Sequence, residues 1–155
     1  MKDYTIIVDS REQKPYFNKN IEVKGLKTGD YSIKNFEDKI CIERKSLMDL
    51  FGTLGSGNKR FKKELERAQE LEYFAIIIDG TFRQVRDKDF EGSYHSKMKG
   101  YIINKILFTL IVKYNIHVFF GGDRKQSKSI IKQIFDAYIR QQGGKTKWIK
   151  KKKKN

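Results

Sequence analysis

Residues 73–79, YFAIIID, place six apolar side chains in a row before the first acid. A short, β-branched run with no polar face is expected of a strand buried on both sides. The rest of the chain is arranged around it. YTIIVD (4–9) and KICIER (39–44) read as strands, IEVKGL (21–26) as a weak one and IHVFF (116–120) as another. TGDY (28–31) turns into YSIK, NFED (35–38) is a polar hairpin loop, and REQKPYFNKN (11–20), with the only Pro, is a loop. Helical spacing fits SLMDLFGTL (46–54), with Ser46 as N-cap and Asp49 as its reciprocal partner. After a GSGN break, KRFKKELERAQELE (59–72) gathers Phe61, Leu65, Ala68 and Leu71 on one side. A long helix is expected over 97–115. Another, capped by Asp123 and ended by Gly143 and Gly144, carries Ile130, Ile131, Ile134, Phe135, Tyr138 and Ile139 on one stripe. That stripe either packs on the sheet or forms a subunit interface. Residues 80–96 give no readable element. The order predicts an α/β domain over 1–144, a central mixed β-sheet flanked by helices, with a disordered basic tail over 145–155.

The chain has 155 residues, 34 of them Lys or Arg and 19 Asp or Glu, for a net charge of +15. Seven Lys lie in Lys145–Asn155, so the preceding part still carries +8. Such a balance favours a polyanion, nucleic acid above all. One Cys (Cys41) and two His (His95, His117) exclude a disulfide framework and a Cys/His zinc site. Cys41 reads as a small core residue, and His117 as a strand residue. No apolar run approaches a membrane span, and the N-terminus is no signal peptide. The expectation is an intracellular protein located with the DNA.

Four acids stand at the expected ends of early strands: Asp9, Glu12, Asp30 and Glu43. Lys45 shares a strand face with Glu43, while Arg44 points the other way. Clustered carboxylates repel one another unless a hard cation joins them, and Mg²⁺ takes such oxygen ligands. With a Lys alongside, the set suits phosphodiester hydrolysis. The spacing by itself is equally compatible with a surface salt-bridge cluster.

Taken together, VDSRE (8–12), TGDYSI (28–33) and IERKSLMDL (42–50) resemble the nuclease domain of the XPF family of structure-specific endonucleases, members of the PD-(D/E)XK superfamily with its restriction-endonuclease-like core. LGSGNKRF (54–61) and YFAIIIDG (73–80) look like the family's continuation. The resemblance implies a metal-dependent DNA endonuclease acting on branched, flap or fork DNA in repair or recombination, using Mg²⁺ or Mn²⁺. Asp30, Glu43 and the backbone carbonyl of Arg44 would bind the ion, with Asp9 as a further ligand and Glu12 completing the cluster. Lys45 would be the catalytic lysine. Arg11 would contact phosphate or hold an acid, and Arg44 would pair with an acid such as Asp49 or meet DNA. The DNA-facing set is Arg11, Arg44, Lys59, Arg60, Lys62 and Lys63, with Arg60 favoured among the helix residues.

Family members usually add a helix-hairpin-helix module, which this sequence does not reach. DNA grip is therefore expected from this domain, the tail, a homodimer or a partner protein. The intact acids and lysine argue against a non-catalytic DNA-binding subunit. A junction resolvase or mobile-element nuclease on the same fold is the alternative. GTLGSGNK (52–59) is no nucleotide-binding loop, because Asn58 separates Gly57 from Lys59 and Arg60 replaces Ser or Thr. It reads better as a loop reaching a helix start that can hold phosphate. The tail with Trp148 either tracks a phosphate backbone or is merely solvated.

Overall fold

The computed structural model describes residues 3–56 and 58–154, excluding the side chains of 144–154. Six strands, β1 (Ile6–Asp9), β2 (Ile21–Lys24), β3 (Tyr31–Ile33), β4 (Ile40–Ser46), β5 (Tyr73–Asp79) and β6 (His117–Phe120), form one sheet in the order β2-β1-β3-β4-β5-β6. β1–β3 and β3–β4 are antiparallel; β1–β2, β4–β5 and β5–β6 are parallel. The mixed sheet and its flanking helices match the fold expected from the sequence.

β5 shows why its run had to be apolar throughout. Phe74, Ile76 and Ile78 join a core with α1 (Leu47–Gly55), α2 (Lys59–Ala68) and α4 (Gly100–Tyr114). Ala75 and Ile77 join a second core, with Ile6, Val8, Tyr31, Ile33, Ile40 and Ile42, on the opposite face. That face is covered by α5 (Arg124–Lys154) through Ile131 and Phe135, both fully buried. Ile130, Ile134, Tyr138 and Ile139 pack against the same core. The stripe on α5 is thus occupied by its own sheet.

Several boundaries differ from expectation. α2 stops at Ala68 because the following residues are drawn toward β4: the Glu72 and Tyr73 amides donate to the Lys39 carbonyl at 2.8 and 3.1 Å, and Gln69 Nε2 donates to Tyr114 O at 2.8 Å. α5 does not stop at Gly143, which avoids the left-handed conformation that ends helices. The expected disorder of 145–155 lies outside the described residues. Ser46 accepts from the Asp49 amide at 3.1 Å, but no return bond forms. The unread stretch after β5 holds α3 (Phe82–Asp87), opened by a capping box between Thr81 and Gln84, and a 3₁₀ turn at Ser93–His95. Among the described residues, no helix is long and apolar enough to cross a membrane.

Candidate active site

Register assembles the site. β3 and β4 pair Tyr31 with Ile42, so the next step sets Asp30 opposite Glu43. β1 and β3 pair Val8 with Tyr31, which sets Asp9 opposite Asp30. Opposed residues on neighbouring strands share a face. Asp9, Asp30 and Glu43 therefore form a row on the face covered by α1, α2 and α4. Gly29 makes the entry to this row possible: its φ is +80°, and a Cβ there would lie 3.1 Å from both Cys41 Cβ and the Ile42 carbonyl oxygen.

The Asp30 and Glu43 carboxyl groups meet in hydrogen-bonding contact. Burial first, then Asp30 and Glu64, push the Glu43 carboxyl well above the usual range. Burial raises Asp30 too, although Glu43 and the Arg44 amide, which donates to it at 2.8 Å, pull the other way. Two carboxyl groups so close hold a proton or a cation between them. Lys45 completes the group, with Nζ 3.1 Å from Glu43 Oε2 and 5.3 Å from the centre of the Phe61 ring. Burial opposes its charge, but Glu43 and Glu64 outweigh burial and keep it an ammonium.

A cleft of about 530 Å³ opens on Lys45, lined by Thr53, Lys59, Arg60 and Glu64 among others. Asn58, at the start of α2, forms no side-chain cap, so that helix end keeps free amides. Lys62 and Lys63 are exposed on α2 but do not line the cleft.

Asp9 and Glu12 do not join Asp30 and Glu43 as equals. The Asp9 carboxylate accepts from the Leu26 amide at 2.8 Å, from Arg11 Nε at 2.9 Å and from the Arg11 amide at 3.3 Å. Those bonds tie the Asp9 carboxylate to the Arg11 loop and to Leu26. Arg11 itself is 74% exposed and feels the charges of Asp30 and Glu64, so it holds an acid while facing solvent. Glu12 is held at 3.6 Å by Arg44, and burial and then Asp30 raise its carboxyl.

Arg44 points to the opposite face, as the alternation predicts, but its partners are Glu12 and Asp79, not Asp49. Its guanidinium also lies 5.0 Å from the Tyr16 ring. Glu64, which accepts from the Gly29 amide at 3.3 Å, was not singled out from the sequence. The available signal was its place three residues after Phe61, beside the buried side of α2.

Among the described residues, no three Asp, Glu, His or Cys side chains converge to hold an ion. The paired Asp30 and Glu43 nevertheless suit Mg²⁺, which takes one or two carboxylates plus water and phosphate. Their shared burden of negative charge, with one ammonium nearby, is the condition a divalent ion relieves.

The ERCC4 domain model matches residues 8–134. The 3'-flap repair endonuclease Xpf of Saccharolobus solfataricus (strain ATCC 35092 / DSM 1617 / JCM 11322 / P2) is 29% identical over 114 residues, covering 73% of this chain and 43% of that protein. The chain thus spans less than half the length of that relative. Among solved structures, XPF from Aeropyrum pernix aligns with a TM-score of 0.66 at 22% identity, over 93% of this chain and 69% of that one. XPF from Aeropyrum pernix in complex with DNA aligns with a TM-score of 0.65 at 23% identity, over 89% and 66%. At these identities the structural likeness is one of fold.

Proposed function

Because the chain belongs to the ERCC4 domain family, we propose that it is a divalent-metal-dependent DNA endonuclease, hydrolysing phosphodiester bonds at branched, flap or fork DNA during repair or recombination inside the cell. The observation that carries this reading is the contact between the Asp30 and Glu43 carboxyl groups with the Lys45 ammonium beside them.

In this reading Asp30 and Glu43 hold Mg²⁺ or Mn²⁺, helped by the Arg44 carbonyl. The bound ion supplies charge neutralisation at the phosphate and a lowered pKa for water. Lys45, held charged by its acidic neighbours, donates to water or to the phosphate oxygen as charge builds there. Glu64 orders the Gly29 turn that delivers Asp30. Asp9 and Glu12 act one step back, fixing Arg11 and Arg44. Arg11, Lys59 and Arg60 face the strand, and the free amides at the start of α2 offer a further phosphate contact. A second copy or a partner protein adds DNA contacts, without using the α5 stripe already covered by the sheet.

The test is cleavage of labelled flap, fork, four-way junction and plain duplex DNA, with and without Mg²⁺ or Mn²⁺. Asp30→Asn and Lys45→Ala are each expected to lose at least about 100-fold in cleavage while binding DNA nearly as well as the unsubstituted protein. Undiminished cutting by both variants would overturn the roles. Equal cutting of all four substrates would remove the preference for branched DNA.

A further inference from the structure

A second feature lies on the other face of the sheet. A groove of about 730 Å³ runs between the Phe17–Asn20 loop, the start of β1 and the first turns of α5. Lys125, Lys128 and Lys132 line it from one face of α5, and Lys19 faces them from the loop. Phe17 lies 5.6 Å beneath the Lys128 ammonium, and Tyr4 lies 4.5 Å beneath that of Lys132. Two acids also line the groove, Asp3 and Asp136. Asp136 is already engaged, accepting from Lys132 at 2.7 Å and from the Tyr4 hydroxyl at 2.6 Å. Among the described residues, no carboxylate pairs with Lys19, Lys125 or Lys128.

Like charges three and four residues apart on a helix repel, and of this row Lys132 alone has an acid to offset it among the described residues. Its charges are stepped by about 4.5 and 6 Å along the axis. That is on the order of the spacing of phosphates along one strand, about 3.4 Å in a duplex and longer when extended. The start of α5, beside the groove, is tied to β4, the strand that carries Glu43 and Lys45. Arg124, at the start of α5, donates to the Pro15 carbonyl at 3.0 Å and lies 4.5 Å from the Tyr16 ring. The same ring faces Arg44, which sits between Glu43 and Lys45 in β4.

We propose that this groove binds a single-stranded arm of the nucleic-acid substrate through its phosphates, leading it from the catalytic edge of the sheet down its far face. The occupant is a single strand, because a cationic trough floored by aromatic rings follows one backbone. The assignment rests on the endonuclease reading, but its test does not use cleavage.

Binding of a fluorescent poly-dT oligonucleotide is measured by anisotropy in EDTA across a salt series. The double variant Lys125→Gln/Lys128→Gln, exposed on α5, is compared with the unsubstituted protein and with Lys105→Gln/Lys113→Gln on α4, which removes the same charge elsewhere. The groove variant is expected to bind at least about tenfold more weakly, with the slope of log K against log salt reduced by about 1.4, two single-strand phosphate contacts. The α4 variant is expected to change far less. Equal losses in the two variants would reduce the effect to net charge and overturn the proposal, as would an unchanged slope. Groove-dependent binding of poly-glutamate as tight as that of poly-dT would overturn it too, in favour of an acidic protein. None of these results depends on whether Asp30→Asn still cuts DNA, so the two readings fail separately.

Discussion

The Arg44 guanidinium stands 3.3 Å from the Asp79 carboxylate, on the far side of the sheet from Glu43. The contact is an ion pair without hydrogen-bond alignment at Nε. Asp79 also accepts a bond from the Tyr16 hydroxyl, so one carboxylate serves two part-buried groups. Removing it takes away the acceptor of the Tyr16 hydroxyl and leaves Arg44 with Glu12 as its acidic partner. Asp79→Ala is expected to cost about 2–4 kcal/mol, and Asp79→Asn less, since the amide can still accept from Tyr16. Urea unfolding midpoints at constant m-value measure this. A loss below about 0.5 kcal/mol for Asp79→Ala would show that the pair adds nothing.

Gly29 is expected to be far less replaceable than Gly143. A methyl at Gly29 faces both a positive φ and the Ile42 carbonyl, whereas one at Gly143 meets nothing within 4 Å. Gly29→Ala should cost about 1–3 kcal/mol and displace the adjacent Asp30. Its specific cleavage activity, corrected for the folded fraction, should therefore fall as well. Gly143→Ala should be neutral or stabilising by up to about 1 kcal/mol, because alanine is the better helix former. Thermal melts paired with flap cleavage decide this; full activity in folded Gly29→Ala would break the link between the turn and the carboxylate.

The Asp30–Glu43 pair was legible in the sequence because burying Tyr31, Ile33, Ile40 and Ile42 on one face of the hairpin puts both acids on the other, and the register adopted sets them opposite each other. Lys45 followed from strand alternation. The partners of Arg44 were not legible: Asp79 lies at the end of a strand brought alongside by a parallel crossover, and no local spacing encodes that. Glu64 looked like any helix-surface acid until the Gly29 turn was placed against it. The T-x-x-Q signal for α3 was present at Thr81–Gln84 but short, amid polar residues. Gly143 misled because a helix-stop signal acts through left-handed geometry, and this glycine does not adopt it.

Glu43→Gln should stabilise the metal-free protein at pH 8 while abolishing cleavage. The folded state holds the Glu43 carboxyl protonated well above its ordinary range, through burial, Asp30 and Glu64. A group raised on folding contributes stability below its unfolded pKa and loses it as pH climbs through the folded value. Each unit of that gap is about 1.4 kcal/mol. In EDTA, then, the unsubstituted protein and the variant should melt close together near pH 4 and diverge with rising pH, the variant ending higher. Glu64→Gln removes one of the charges raising Glu43, keeps an acceptor for the Gly29 amide, and should narrow the divergence. Added Mg²⁺ should restore the unsubstituted protein more at pH 8 than at pH 5, since the ion binds the deprotonated pair. A Glu43→Gln protein that melts lower by the same margin at every pH would mean that the carboxyl carries no such strain and that its burial is compensated some other way.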